Sequence, residues 1–318
     1  MFDDREKALL MALQYNFPLS EEPYIGISEF TGLDLDYVLR KTKEFLEKGI
    51  IKRIGAQLNY KAFRDIGYAV LVGAKADRVD EVAAIINSFK PKHNYLRDCE
   101  EYNIWFTIKS RDIDALRAKV EEIVKAAGIA DYVFLPSKRV YKMDVKYDLL
   151  RGISYSEAGL ERMDVPKVEE LGVDPELLRA LEREFPVQNR PFKVYERFGY
   201  GEGELISLIE EMIDERVIRG FYAVLKERKI GFRENGMNLI RTEKPKKVAL
   251  KLVREFPEIT HLVERVPDEK WNYPLYFMVH AVSRSSIEEI KSKAAEMPGV
   301  EEIRTLYSIR DLNPNYRY

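Results

Sequence analysis

Stretches in which apolar residues recur every three or four positions alternate with shorter stretches in which they recur every second position. This pattern runs along the chain twice. Residues 4–14 carry Ala8, Leu9, Ala12 and Leu13 at helical spacing, and Pro18 and Pro23 then break the chain. A short segment, 25–31, ends at Gly32. Asp34 predicts the N-cap of a helix reaching Lys48, with Val38, Leu39, Thr42, Phe45 and Leu46 on one face. Gly49 closes it, and residues 50–58 read as an extended wing. A strand at 67–75 follows, then a helix at 79–88 capped by Asp77. Strands at 93–97 and 102–108, a helix at 111–127 and a strand at 132–142 complete the unit.

Three helices and a wing predict a winged helix-turn-helix, and the order βαββαβ predicts a ferredoxin-like domain. The unit is then written again. Phe17-Pro18-Leu19 and Pro23 recur as Phe185-Pro186-Val187 and Pro191, and His93 with Arg97 recurs as His261 with Arg265, all at an offset of 168 residues. Residues 49–53 recur loosely as 216–220, Ile66-Gly67-Tyr68 as Ile230-Gly231-Phe232, and Ser137-Lys138-Arg139 as Ser308-Ile309-Arg310. The expected class is therefore α+β, two tandem repeats. Copy 1 is a helical domain at 1–60 and a ferredoxin-like domain at 61–144. Residues 145–174 are a packed linker, with a helical turn or two at 156–163. Copy 2 is a helical domain at 175–226 and a ferredoxin-like domain at 227–318, its first strand interrupted at Asn235-Gly236.

Composition removes several classes of function. Hydrophobic residues make up 46% of the 318 positions, enough for a sizeable core, and the net charge of -2 does not describe a polycation. One cysteine, Cys99, excludes a disulfide framework and a paired-cysteine metal site. The apolar runs are too short to cross a bilayer, and the acidic start lacks the features of a signal peptide, so a soluble cytoplasmic protein is expected. A helix-turn-helix joined to a ferredoxin-like domain resembles the leucine-responsive (Lrp/AsnC) regulators, which bind DNA. Yet the second copy's counterpart of a recognition helix carries Glu202, Glu204, Glu210, Glu211, Asp214 and Glu215 against Arg216 alone. A phosphate backbone would repel it, and no DNA partner is expected.

The chain has three histidines, His93, His261 and His280. Imidazole is the side chain matched to proton transfer near neutral pH, and it also ligates iron. Two of the three occupy equivalent places in the copies, each four residues before an arginine. Around them lie Tyr95, Tyr102, Trp105 and Phe106 in copy 1, and Trp271, Tyr273, Tyr276 and Phe277 in copy 2. Arg97, Arg139, Lys142, Arg265 and Arg310 are candidate carboxylate binders. Flat apolar walls, a basic rim and histidine suit a large polycarboxylated macrocycle.

At His93-Asn94-Tyr95-Leu96-Arg97, at Tyr102 to Thr107 and at Leu135 to Lys142, the chain resembles the siroheme decarboxylases of alternative haem biosynthesis. Residues 271–280 resemble the tryptophan-rich version in the partner subunit. Copy 2 departs at Leu262 and Val263, where the family often has a polar or aromatic pair. The resemblance implies a fusion of two subunit types into an intramolecular pseudo-dimer, with further self-association left open. It implies removal of two acetate carboxyls of siroheme as CO2 to give 12,18-didecarboxysiroheme, with no cofactor beyond the iron tetrapyrrole itself. His93, His261 and Tyr95 would be catalytic, with His93 or His261 an axial ligand to the siroheme iron. Arg97, Trp105, Arg139, Lys142, Arg265, Trp271, His280 and Arg310 would bind substrate. The alternatives are an Lrp/AsnC-type regulator and a tetrapyrrole-binding protein without turnover.

Overall fold

The computed structural model describes residues 2–183 and 185–314. The chain divides into two compact units, and each draws on both copies: Met1–Phe63, Val145–Ile153 and Asp164–Phe232 form the first, and Arg64–Asp144, Ser154–Met163 and Arg233–Tyr318 the second. Like domains are thus grouped with like. The linker is shared between the units and contains no helix at 156–163.

In the first unit, copy 1 supplies helices α1 (Asp4–Tyr15), α2 (Pro23–Thr31) and α3 (Leu35–Glu47) and strand β1 (Ile51–Leu58). The Asp34 side chain accepts from the Tyr37 N–H at 3.1 Å, capping α3 as its sequence requires. Copy 2 supplies α6 (Pro175–Arg183), a 3-10 segment at Pro191–Phe198, α7 (Glu202–Asp214) and β8 (Ile218–Leu225). The expected wing does not fold back on its own copy. Each copy has one strand here, and a lone strand cannot satisfy its backbone, so β1 pairs antiparallel with β8 from Ile51↔Leu225 to Leu58↔Ile218. The repeated phenylalanines meet across this join, with the Phe17 and Phe185 rings 5.7 Å apart and Phe221 against both. Gly55 has φ 146°, and a Cβ there would lie 2.2 Å from the Leu181 carbonyl oxygen, so only glycine admits α6 onto β1.

In the second unit, copy 1 runs β2 (Tyr68–Ala74), α4 (Val79–Ser88), β3 (His93–Arg97), β4 (Ile104–Ser110), α5 (Ile113–Ala126) and β5 (Tyr132–Met143). Arg78, not Asp77, is the N-cap residue of α4, and no side chain caps that end. After two short strands, β6 (Tyr147–Asp148) and β7 (Ile153–Ser154), copy 2 repeats the order with β9 (Glu234–Arg241), α8 (Pro245–Glu255), β10 (His261–Arg265), β11 (Leu275–Ala281), α9 (Arg284–Ala295) and β12 (Glu302–Asp311). Asn235-Gly236 does not interrupt β9, which pairs through it with β11 and β12.

Each copy orders its four strands fourth, first, third, second, and the two sets join at β3–β12 and β10–β5. Because β10 also pairs with β11, the eight strands form a closed antiparallel ring. Closure leaves none of the eight with an open edge. The outer face of the copy 1 strands packs Val70, Val72, Phe106 and Ile108 against α4 and α5. The inner face packs Leu71, Trp105, Leu135, Met237, Leu239, Tyr276 and Leu306.

Candidate active site

Strand alternation decides which side chains meet on the inner face. Tyr95 pairs with Trp105 and Val263 with Tyr276, both inner residues, so β3 points His93, Tyr95 and Arg97 inward and β10 points His261, Val263 and Arg265 inward. On β11 the same rule turns Met278 and His280 inward, and on β9 it turns Asn235, opposite His280.

The two arginines occupy equivalent positions, and each crosses to the other copy. Arg97 donates from NH1 to the Leu306 carbonyl at 2.9 Å, beside Ser308. Arg265 donates from NH1 to the Leu135 carbonyl at 3.0 Å and to Ser137 Oγ at 3.1 Å. Each guanidinium lies over a tyrosine ring, Tyr95 at 5.4 Å and Tyr276 at 5.3 Å from the centroid. Burial pushes both down to about 10, so both remain cations at neutral pH. Among the described residues neither forms a salt bridge with a carboxylate, and the Nε of each has no hydrogen-bond partner. Buried charge is ordinarily paired, so two such cations on one inner face mark a place for anions.

The second histidine cluster surrounds Arg97. Both its terminal nitrogens reach Asn235 Oδ1 at 3.4 Å, and Asn235 Nδ2 lies 3.3 Å from His280 Nδ1. The ring centroids of His280 and His261 are 6.5 Å apart. His280 is only 6% exposed, and desolvation, with Arg97 nearby, lowers its pKa to about 4. It is a neutral imidazole at pH 7. His261 Nδ1 is 2.9 Å from Thr260 Oγ1, which is also 3.2 Å from the Met278 carbonyl. A carbonyl only accepts, so both contacts are satisfied when the threonine donates to Met278 and the His261 Nδ1–H donates to the threonine.

The copies differ here. The counterparts of Asn235 and His280 are Ala69 and Lys109, which face each other on β2 and β4. His93 stacks on Tyr95 at 6.1 Å. Copy 1 therefore offers histidine, tyrosine and lysine, whereas copy 2 offers two histidines and an amide. The departure at Leu262 does not reach this face, because Leu262 pairs with Phe277 on the outer side. Val263 does face inward, in the place of Tyr95.

Trp105 and Trp271 pack together, ring centroids 5.5 Å apart, at 1% and 4% exposure. They form the inner core rather than an open wall, and Gly73 makes room for the Trp105 ring. Three expected substrate-binding cations lie elsewhere. Register shifts in β5 and β12 set Arg139 opposite Glu264, Lys142 opposite Leu262 and Arg310 opposite Leu96, all outer positions. Lys142 there donates to the Ser156 carbonyl at 2.7 Å, and Arg310 pairs with Asp80 at 2.6 Å. Arg139 lines an outer groove of about 960 Å³ with Tyr141 and the lysines of α8. Sequence reasoning missed Asn235. Its asparagine-glycine pair reads as a break, although the alternation about His280 on the neighbouring strand would have placed it inward.

Among the described residues no helix is long and apolar enough to cross a membrane, and no group of three or more histidine, cysteine, aspartate or glutamate side chains could hold a metal ion. Residues 65–142 and 229–313 match the family model of the AsnC-like ligand binding domain, and residues 6–52 and 174–219 that of the siroheme decarboxylase NirDL-like HTH domain. The chain is 28% identical to the siroheme decarboxylase NirDL subunit of Paracoccus pantotrophus, over 97% of this chain and 95% of the relative. It is 34% identical to the siroheme decarboxylase alpha subunit of Desulfovibrio desulfuricans, over 46% of this chain and 83% of that subunit. The crystal structure of the siroheme decarboxylase NirDL in complex with an iron-uroporphyrin III analogue shares its fold, with a TM-score of 0.63 at 22% identity over 97% of this chain and 92% of that one.

Proposed function

Because the chain belongs to the siroheme decarboxylase family, we propose that it removes two acetate carboxyls of siroheme as CO2, giving 12,18-didecarboxysiroheme. The observation that carries this reading is the pair of buried guanidinium groups, Arg97 and Arg265, which among the described residues meet no carboxylate and lie on the face that holds the histidines. A tetrapyrrole with acetate and propionate arms supplies the missing anions. The elements are those of a winged helix-turn-helix followed by a ferredoxin-like domain, written twice. The inward faces of both ferredoxin-like domains build the site.

Loss of CO2 from a pyrrole acetate breaks a carbon–carbon bond, and its electron pair must enter the ring system. Protonating a ring carbon provides that sink, a second proton completes the methyl group, and the ring carbon then gives its proton back as the aromatic system is restored, so one proton is taken up for each CO2 lost. A positioned acid is required for each. His93 and the Tyr95 hydroxyl fill that role in copy 1. His261 suits the substrate iron better, because the contact with Thr260 places its proton on Nδ1 and leaves the Nε2 lone pair for a metal. Arg97 and Arg265 hold carboxylates that are retained. No cofactor beyond the iron tetrapyrrole enters this scheme.

Anaerobic incubation of the pure chain with siroheme tests the reading by mass spectrometry. The expected product is lighter by two CO2. A bound macrocycle with a shifted Soret band and unchanged mass would reduce the protein to a binder and overturn the proposal. His93→Ala and His261→Ala should each slow at least one step, and full rates in both would remove them from the mechanism.

A further inference from the structure

Asn235 lies between a group that can only donate and a histidine. A guanidinium has five donors and no acceptor, so the asparagine must turn its amide oxygen to Arg97, as the 3.4 Å contacts from both terminal nitrogens require. The opposite orientation would set donors against donors. The amide NH2 therefore faces His280 Nδ1 at 3.3 Å and donates to it. A nitrogen that accepts a hydrogen bond carries no proton, so a neutral His280 holds its proton on Nε2. The backbone fixes the same arrangement from outside the ring: the His280 N–H donates to Ser154 Oγ at 3.0 Å, and the Arg97 guanidinium is tied to the Leu306 carbonyl at 2.9 Å. The charge on Arg97 thus determines a tautomer two residues away in space.

We propose that Asn235 is a positioning residue that locks His280 as the Nε2–H tautomer, making His280 a neutral hydrogen-bond donor to a substrate carboxylate and excluding it as an iron ligand through Nε2. The role toward substrate rests on the siroheme reading, whereas the tautomer does not. Iron coordination needs a bare nitrogen, and the only bare nitrogen of His280 is occupied by Asn235. Burial of His280 keeps it neutral. A neutral imidazole beside a buried cation donates to an anion without adding a second charge. Copy 1 has no such device, because Ala69 and Lys109 stand at the equivalent positions. The two halves of the site therefore differ at this position, with an alanine and a lysine in one and an asparagine and a histidine in the other.

The chain contains only three histidines, so nitrogen-15 NMR of the histidine-labelled full chain resolves the tautomers, with His93→Gln and His261→Gln assigning the signals. At neutral pH without substrate, His280 should show a protonated Nε2 and a bare Nδ1. Asn235→Asp turns an acceptor toward Nδ1 and should move the proton to Nδ1, and Asn235→Ser should give a mixture. A wild-type proton on Nδ1, or an unchanged tautomer in Asn235→Asp, overturns the lock. Circular dichroism establishes that the variants fold. With siroheme, both variants should lose about 10–100-fold in kcat, the range for groups that orient a functional side chain, with KM little changed. Unchanged kcat with a flipped tautomer overturns the role toward substrate. An inactive wild type with the lock intact refutes the decarboxylase reading and leaves the tautomer standing.

Discussion

A guanidinium held in a protein interior without a carboxylate costs free energy, and among the described residues Arg97 and Arg265 are both in that position. A ligand carboxylate would offset the cost, and this separates function from stability at one residue. Arg97→Met removes the charge and fills similar space. Urea unfolding of the ligand-free variant should show a loss of no more than about 1 kcal/mol, because the hydrogen bonds to the Leu306 carbonyl and the long contacts to Asn235 Oδ1 are exchanged for relief of a buried charge. Siroheme binding, followed by its Soret band, should weaken by about 30-fold or more, since truncating one partner of a buried charged pair costs about 2–5 kcal/mol. Equal losses in both measurements would make Arg97 an ordinary structural residue. The placing of Arg97 on one strand with His93 was legible in the sequence from their spacing and the recurrence of both. Its partners were not, because Leu306 lies in the other copy's last strand and Asn235 reads as a turn.

Single strands decide where a side chain points, and two of them here carry extra residues against their neighbours, two in β5 and one in β12. Ser137 and Arg139, like Ser308 and Arg310, are two positions apart and by alternation should share a face. The register shifts in β5 and β12 send the arginines outward instead. Helices and strands were legible because period 3.6 and period 2 are written in the residues, and the strand at 93–97 and the helix at 79–88 have the expected bounds. Bulges have no such signature, so Arg139 and Arg310 were assigned to the wrong side, whereas Lys142, five positions from Ser137, lies on the outer face by alternation alone. Lys142 shows what its outer position costs. It is fully buried, and desolvation lowers its pKa to about 8, against 10.5 for an ordinary lysine. Between those values the unfolded chain binds more protons than the folded one, so the free energy of unfolding rises as pH increases from about 8 to 10.5. The gain is limited to about 3 kcal/mol. Below pH 8 the ammonium is charged in both states and the term is constant. Denaturation midpoints across this window should rise for the wild type relative to Lys142→Met, and parallel curves would refute the assignment.

On the scale of the chain, the duplication was legible and its consequence for assembly was not. A reading along the sequence gives four domains in a row, because contacts between distant segments leave no mark on local periodicity. The fold gives two units, each built from both copies. One is joined through β1 and β8, and the other by the ring closing at β3–β12 and β10–β5. Neither copy alone completes either unit. A copy 1 half would leave β1 unpaired and open one edge each of β3 and β5, and a copy 2 half would leave β8 unpaired and open one edge each of β10 and β12, exposing strand edges that invite aggregation. Met163, where the segment between the copies leaves the second unit, is 59% exposed and offers a place to divide the chain. Residues 1–163 and 164–318 expressed together as separate polypeptides should therefore associate one to one, as read by native mass spectrometry. Each expressed alone should self-associate or precipitate. Two halves that are each monomeric and folded in isolation would show that the pairings between copies do not hold the molecule together.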